Sequence, residues 1–169
     1  ISVYGATSGW NRETVVANNV IRNIKDEGIS VSGVLETTVA NNVVSEFSNF
    51  AIEITEIDAS PRQITGLSVT GNVLHTHVDD TSTNAGGISC STNTLRPLLS
   101  TSLVGNTIYD MEYAGINCQF STGLVVQGNA IRKTNTTTDT TYFVALDILD
   151  ATGASITGNT ISFDTPAAN

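Results

Sequence analysis

Basic side chains are scarce in this sequence. Seven Lys and Arg stand against 16 Asp and Glu, which sets a formal net charge of −9 over 169 residues. That balance argues against binding by neutralisation of nucleic-acid phosphates and against docking on anionic lipid. There are two cysteines and two histidines, in no spacing that suits zinc. Neither a metal nor a cofactor is expected. No apolar run approaches the ~20 residues of a membrane span, so no membrane insertion is expected either. No targeting segment is visible. Sustained helical periodicity is missing, and β-branched residues dominate instead.

What is present is repetition. One phrase occurs six times: an apolar pair, a small or polar residue, Asn, then more apolar residues. Examples are Val15-Val16-Ala17-Asn18-Asn19-Val20-Ile21, Val69-Thr70-Gly71-Asn72-Val73-Leu74 and Ile156-Thr157-Gly158-Asn159-Thr160-Ile161. The recurring asparagines are Asn19, Asn42, Asn72, Asn106, Asn129 and Asn159. A second phrase keeps step: Ile1-Ser2-Val3, Ile29-Ser30-Val31, Ile52-Glu53-Ile54, Ile88-Ser89-Cys90, Ile116-Asn117-Cys118 and Leu146-Asp147-Ile148. Its apolar-polar-apolar order marks a strand with one buried face. A small residue usually precedes it: Gly28, Ala51, Gly87, Gly115 or Ala145.

The shortest repeat, Asn19 to Asn42, is 23 residues, below the ~30 of a strand-helix-strand unit. Three short strands joined by tight turns fit that length. One such coil cannot bury its apolar face, but a pile of coils can. The expected fold is all-β: a right-handed single-stranded parallel β-helix of about six coils, with strands pairing from coil to coil. Each repeated Asn is expected at a sharp turn, in the φ > 0 region that Asn tolerates, with its amide bonded to the copies above and below. Residues 1–169 are expected to be one domain. The phrases run to both ends, so the chain is expected to be a piece of a longer protein. Cys90 and Cys118 fall at the same inward position of consecutive coils and are expected to be buried free thiols.

This pattern resembles the pectate-lyase-like superfamily of right-handed parallel β-helices, with its inward asparagine ladder. Its Ser/Thr/Asn-rich coils, low Lys and Met content and acidity are most similar to the β-helix domains of bacteriophage tailspikes and tail fibres. The resemblance implies a homotrimer on a virion tail, outside the cell, that binds and in some members cleaves bacterial surface polysaccharide.

The first strand of each coil presents an outward strip. Its first position reads Ser2, Ser30, Glu53, Ser89, Asn117, Asp147, and its second reads Tyr4, Ser32, Thr55, Ser91, Gln119, Leu149. A strip rich in hydroxyls and amides suits a polyhydroxylated ligand. Ser30, Ser89, Asn117, Gln119, Asp147 and Tyr113 are the candidate sugar-binding residues. Arg12, Arg22, Arg62, Arg96 and Arg132 are placed at turns and loops, off the strip.

Glycoside hydrolysis needs two carboxyl groups, about 5 Å apart for retention or about 6.5–9.5 Å for inversion. The catalytic candidates are Glu53, Asp79, Asp80 and Glu112, as Glu53 with Asp79 or Asp80, or Asp80 with Glu112. Glu53 and Asp147 lie three rungs apart, ~14 Å by strand spacing, too far to be a pair. The superfamily's lyases hold calcium with clustered Asp beside a basic residue, and its polygalacturonases carry Gly-His-Gly and Arg-Ile-Lys. The strip has no such base, so hydrolysis is preferred to lysis, and the absence of both polygalacturonase motifs argues against a pectinase in particular. Two alternatives remain: a secreted bacterial polysaccharide lyase or hydrolase, and a non-catalytic adhesin or spacer.

Overall fold

The computed structural model describes residues 1–4, 11–55, 64–76, 85–92, 97–134 and 144–164. The described residues form strands and turns, with no helix among them. Strands lie parallel in three main sheets, and the chain visits those sheets in a fixed cyclic order.

The first sheet holds Ser2–Tyr4, Ile29–Ser32, Phe50–Thr55, Gly86–Ser91, Ala114–Thr122 and Val144–Thr152. The second holds Val15–Ala17, Thr38–Ala40, Ser68–Thr70, Ser102–Val104, Val125–Gln127 and Ser155–Thr157. The third holds Val20–Ile24, Val43–Phe47, Val73–His75, Thr107–Tyr109, Ala130–Thr134 and Thr160–Asp164. A short fourth run, absent from the three-strand expectation, lies between the first and second sheets. It pairs Asn11–Arg12 with Val34–Leu35, bridges Leu35 to Thr65 and Thr65 to Leu99, and joins Leu98–Leu99 to Ser121 and Thr122.

Register follows the repeat. Val16, Val39, Val69, Leu103, Val126 and Ile156 face one another down the second sheet. Ile21, Val44, Leu74, Ile108, Ile131 and Ile161 do so down the third. From Val39 to Val126 and from Val44 to Ile131 these side chains are essentially fully buried. Burying each contributes about 1.5–3 kcal/mol. Alternation therefore builds one continuous apolar core, and a one-residue slip would turn a whole column outward.

The asparagine file is real and inward. The Nδ2 of Asn19, Asn42, Asn72, Asn106 and Asn129 each donates to the Oδ1 of the next asparagine, at 2.9–3.0 Å. The same oxygens accept from the backbone N–H of the asparagine one layer earlier. Each Nδ2 from Asn42 onward also donates to a carbonyl of the preceding layer, Val16, Val39, Val69, Leu103 or Val126. Every side-chain polar atom of the buried ladder amides Asn42, Asn72, Asn106 and Asn129 is thereby satisfied.

The left-handed conformation sits one residue earlier than the sequence reading placed it. Asn18, Asn41, Gly71, Gly105, Gly128 and Gly158 carry φ of 55 to 64°, whereas the ladder asparagines do not have positive φ. The two jobs are separated: one residue turns the chain, and the next points its amide inward. The neighbouring corner repeats the device with Glu13, Glu36, Gly66, Ser100, Gly123 and Gly153.

The small residue before each first-sheet strand has a steric cause. A Cβ at Gly28 would collide with Val44 Cγ1, and one at Gly87 would collide with the Gly115 carbonyl. Cys90 and Cys118 are in register, buried and free. The arginine placement needs correction: Arg22 and Arg132 lie in third-sheet strands and Arg12 in the short fourth run. The third-sheet strands run beyond the apolar phrase that marked them.

Candidate functional site

The outward strip of the first sheet is built as its two columns require. Ser2, Ser30, Glu53, Ser89, Asn117 and Asp147 are in continuous register, as are Tyr4, Ser32, Thr55, Ser91, Gln119 and Leu149. Their neighbours Ile29, Val31, Ile52, Ile54, Ile88, Cys90, Ile116 and Cys118 face the core, so alternation sends the strip residues the other way.

Between its ends, where Ser2, Tyr4 and Leu149 are exposed, the strip is recessed. Ser30, Ser32, Ser89 and Asn117 are buried, while Glu53, Thr55, Ser91, Gln119 and Asp147 are half-buried. Toward its start, the Phe50 ring meets Tyr113 edge-on, with ring centroids 6.2 Å apart. Gly86, in register with Phe50, leaves the space that this ring fills.

Within the strip the Asn117 amide stands out. It is 6% exposed, and its Oδ1 has no hydrogen-bond partner. Thr101 Oγ1 and Ser121 Oγ are also buried and unpaired, but lie outside the two columns of the strip. A buried unpaired carbonyl costs about 1–3 kcal/mol. The contrast with Ser32 is direct, since Ser32 Oγ donates to the Thr55 carbonyl at 3.1 Å.

Glu53 is the perturbed carboxyl of the strip. Burial raises its pKa above the ordinary 4.5, and the charges of Glu27 and Asp26 raise it further. Glu27, one layer away, accepts a hydrogen bond from Asn49 Nδ2. The sequence reading missed Glu27. Its signal was the Asp26-Glu27 doublet just before the strip phrase of the second repeat.

Glu112 lies outside the strip, next to Tyr113 at its start. Its Oε2 is 3.9 Å from Nζ of the buried Lys133, which also donates to the Met111 carbonyl at 2.6 Å. Ser30, Glu53, Ser89, Asn117, Gln119 and Asp147 are brought onto one surface, with Tyr113 at its margin. Asp79 and Asp80 lie outside the described residues. In the third sheet, away from the strip, His75 stacks on Tyr109 with ring centroids 4.8 Å apart. Among the described residues, no group of three or more His, Cys, Asp or Glu is placed to hold a metal ion. No helix among them is long and apolar enough to cross a membrane.

No protein-family model, curated protein or solved structure matches this chain.

Proposed function

We propose that the chain is a right-handed parallel β-helix of about six coils, of the tailspike type within the pectate-lyase-like superfamily. In this reading its first sheet binds a bacterial surface polysaccharide. The observation that carries it is the recessed, in-register strip of Ser89, Asn117 and Asp147, with a buried acceptor left unpaired at its centre. A polyol supplies the missing donor, and neighbouring hydroxyls and carboxylates accept from its other hydroxyls. The proposed assembly is a homotrimer on a virion tail.

A hydrolytic role is supported by Glu53. A carboxyl whose proton is retained to higher pH is suited to protonate a glycosidic oxygen. Glu27 joins Asp79 and Asp80 as a candidate partner for it. The test is incubation with capsular and O-antigen polysaccharides, read by binding and by release of oligosaccharides. Binding with release, lost in Glu53→Gln, supports a depolymerase. Binding without release supports an adhesin. No binding to any surface polysaccharide removes the proposal.

A further inference from the structure

The strip is unusual in what it offers a ligand. Neither of its two columns contains Lys or Arg, whereas the first contains Glu53 and Asp147. The hydroxyls of Ser30 and Ser89 both donate and accept, but carboxylates only accept. In the fifth of the six positions of the first column, Asn117 Oδ1 is a buried acceptor with nothing to accept from. Asp147 is its direct cross-strand neighbour, one strand spacing of ~4.8 Å away. A ligand carboxylate placed here would meet like charge and leave Asn117 Oδ1 unpaired. An ammonium group would satisfy both, because it is a pure donor with three N–H groups. The net charge of −9 attracts cationic ligands and repels anionic ones.

We propose that the Asn117–Asp147 position of the strip is a subsite for a glycan unit carrying a free amino group, selecting amino sugars over uronic acids. This rests on the glycan-binding reading of the same strip and adds the chemistry of the sugar. The ammonium donates to Asn117 Oδ1 and to the Asp147 carboxylate, and hydroxyls of the neighbouring unit reach Ser89. No bond is made or broken at this position.

The experiment is isothermal titration calorimetry at pH 6 with three oligosaccharide series of matched length: glucosamine oligomers, their fully N-acetylated counterparts and oligogalacturonates. The wild-type chain is compared with Asn117→Leu and Asp147→Asn, with thermal melting of each variant to verify folding. We expect glucosamine oligomers to bind about tenfold more tightly than the acetylated series, and oligogalacturonates not to bind. Asp147→Asn should erase the preference for the amine, and Asn117→Leu should weaken both series about tenfold. Oligogalacturonate binding as tight as glucosamine binding overturns the subsite. If that binding is lost in Asn117→Leu, the glycan-binding strip stands without its amine selectivity. Glycan binding that is unchanged in both folded variants removes the subsite while leaving binding elsewhere on the chain. Absence of binding in all three series overturns the subsite, and failure with native surface polysaccharides as well overturns the strip's proposed function.

Discussion

Asn72 donates from Nδ2 to Asn106 Oδ1 at 2.9 Å, and both amides are fully buried. The pair is one link in a file that crosses the layers. Asn72→Ala removes the acceptor used by both N–H groups of Asn42 and the donor used by Asn106 Oδ1 and Val39 O. We expect a loss on the order of 3 kcal/mol. Asn159, at the last link and only half-buried, should cost about 1 kcal/mol when changed to Ala. Urea unfolding of the two variants measures the difference. Equal losses would show that the file does not act as a buried network.

Glycines at two columns should respond differently to substitution. Gly87→Ala puts a Cβ into the Gly115 carbonyl and Ile108, a clash between layers that backbone shifts must relieve. A loss of about 3 kcal/mol or failure to fold is expected. Gly105 has φ of 64° and open space around its Cβ position. Gly105→Asn should cost only a few tenths of a kcal/mol, because Asn18 and Asn41 hold the equivalent turn with the same hand. Gly105→Val should cost about 1–2 kcal/mol. Thermal melting of the three variants checks the order.

Much of this fold was legible in the residues, for a definite reason. Parallel in-register pairing makes a repeat of sequence a repeat of position, so Ile52, Ile88 and Ile116 could be aligned before any coordinate. The two strip columns followed from the same alignment. Turn geometry was misplaced by one residue, because Asn18-Asn19 and Asn41-Asn42 offer two asparagines where only one turns the chain. Burial of Ser30, Ser89 and Asn117 was not legible either. Alternation tells which way a side chain points, but not how much protein surrounds it. Glu27 was missed because charge coupling to Glu53 acts between layers, across residues distant in sequence.

Glu53 gives a signed pH dependence. The folded chain holds the Glu53 proton to higher pH than the unfolded chain does. Its stabilising share is complete below 4.5 and is lost as the pH rises through the raised folded value. Glu53→Gln should therefore melt higher than wild type at neutral pH and match it at lower pH, where both side chains are neutral. A lower melting temperature at neutral pH would mean that the carboxylate is held by a partner that outweighs its burial.

Cys90 and Cys118 should be inert in the folded chain. Their interaction pushes the Cys90 thiol up from its ordinary pKa of 9.0 and the Cys118 thiol down, so it is full burial of both that keeps reagents away. Thiol titration should find neither group labelled in native protein and two labelled in denaturant, with no change on prior reduction. Rapid labelling without denaturant would contradict the packing of the first sheet.

Asn117→Leu separates function from fold. Filling this site with an apolar side chain removes a buried carbonyl that has no partner, so stability should be unchanged or up by about 1 kcal/mol. A loss of more than about 1 kcal/mol in urea unfolding would assign Asn117 a structural role instead.

The most direct measurement is a crystal structure of the chain bound to an oligosaccharide that it retains. We predict a sugar seated on the first sheet, with a donor within about 2.7–3.2 Å of Asn117 Oδ1 and further contacts to Ser89 and Asp147. A sugar seated on the third sheet against Tyr109, with the Asn117 carbonyl still unpaired, would contradict the assignment of the first sheet as the binding surface.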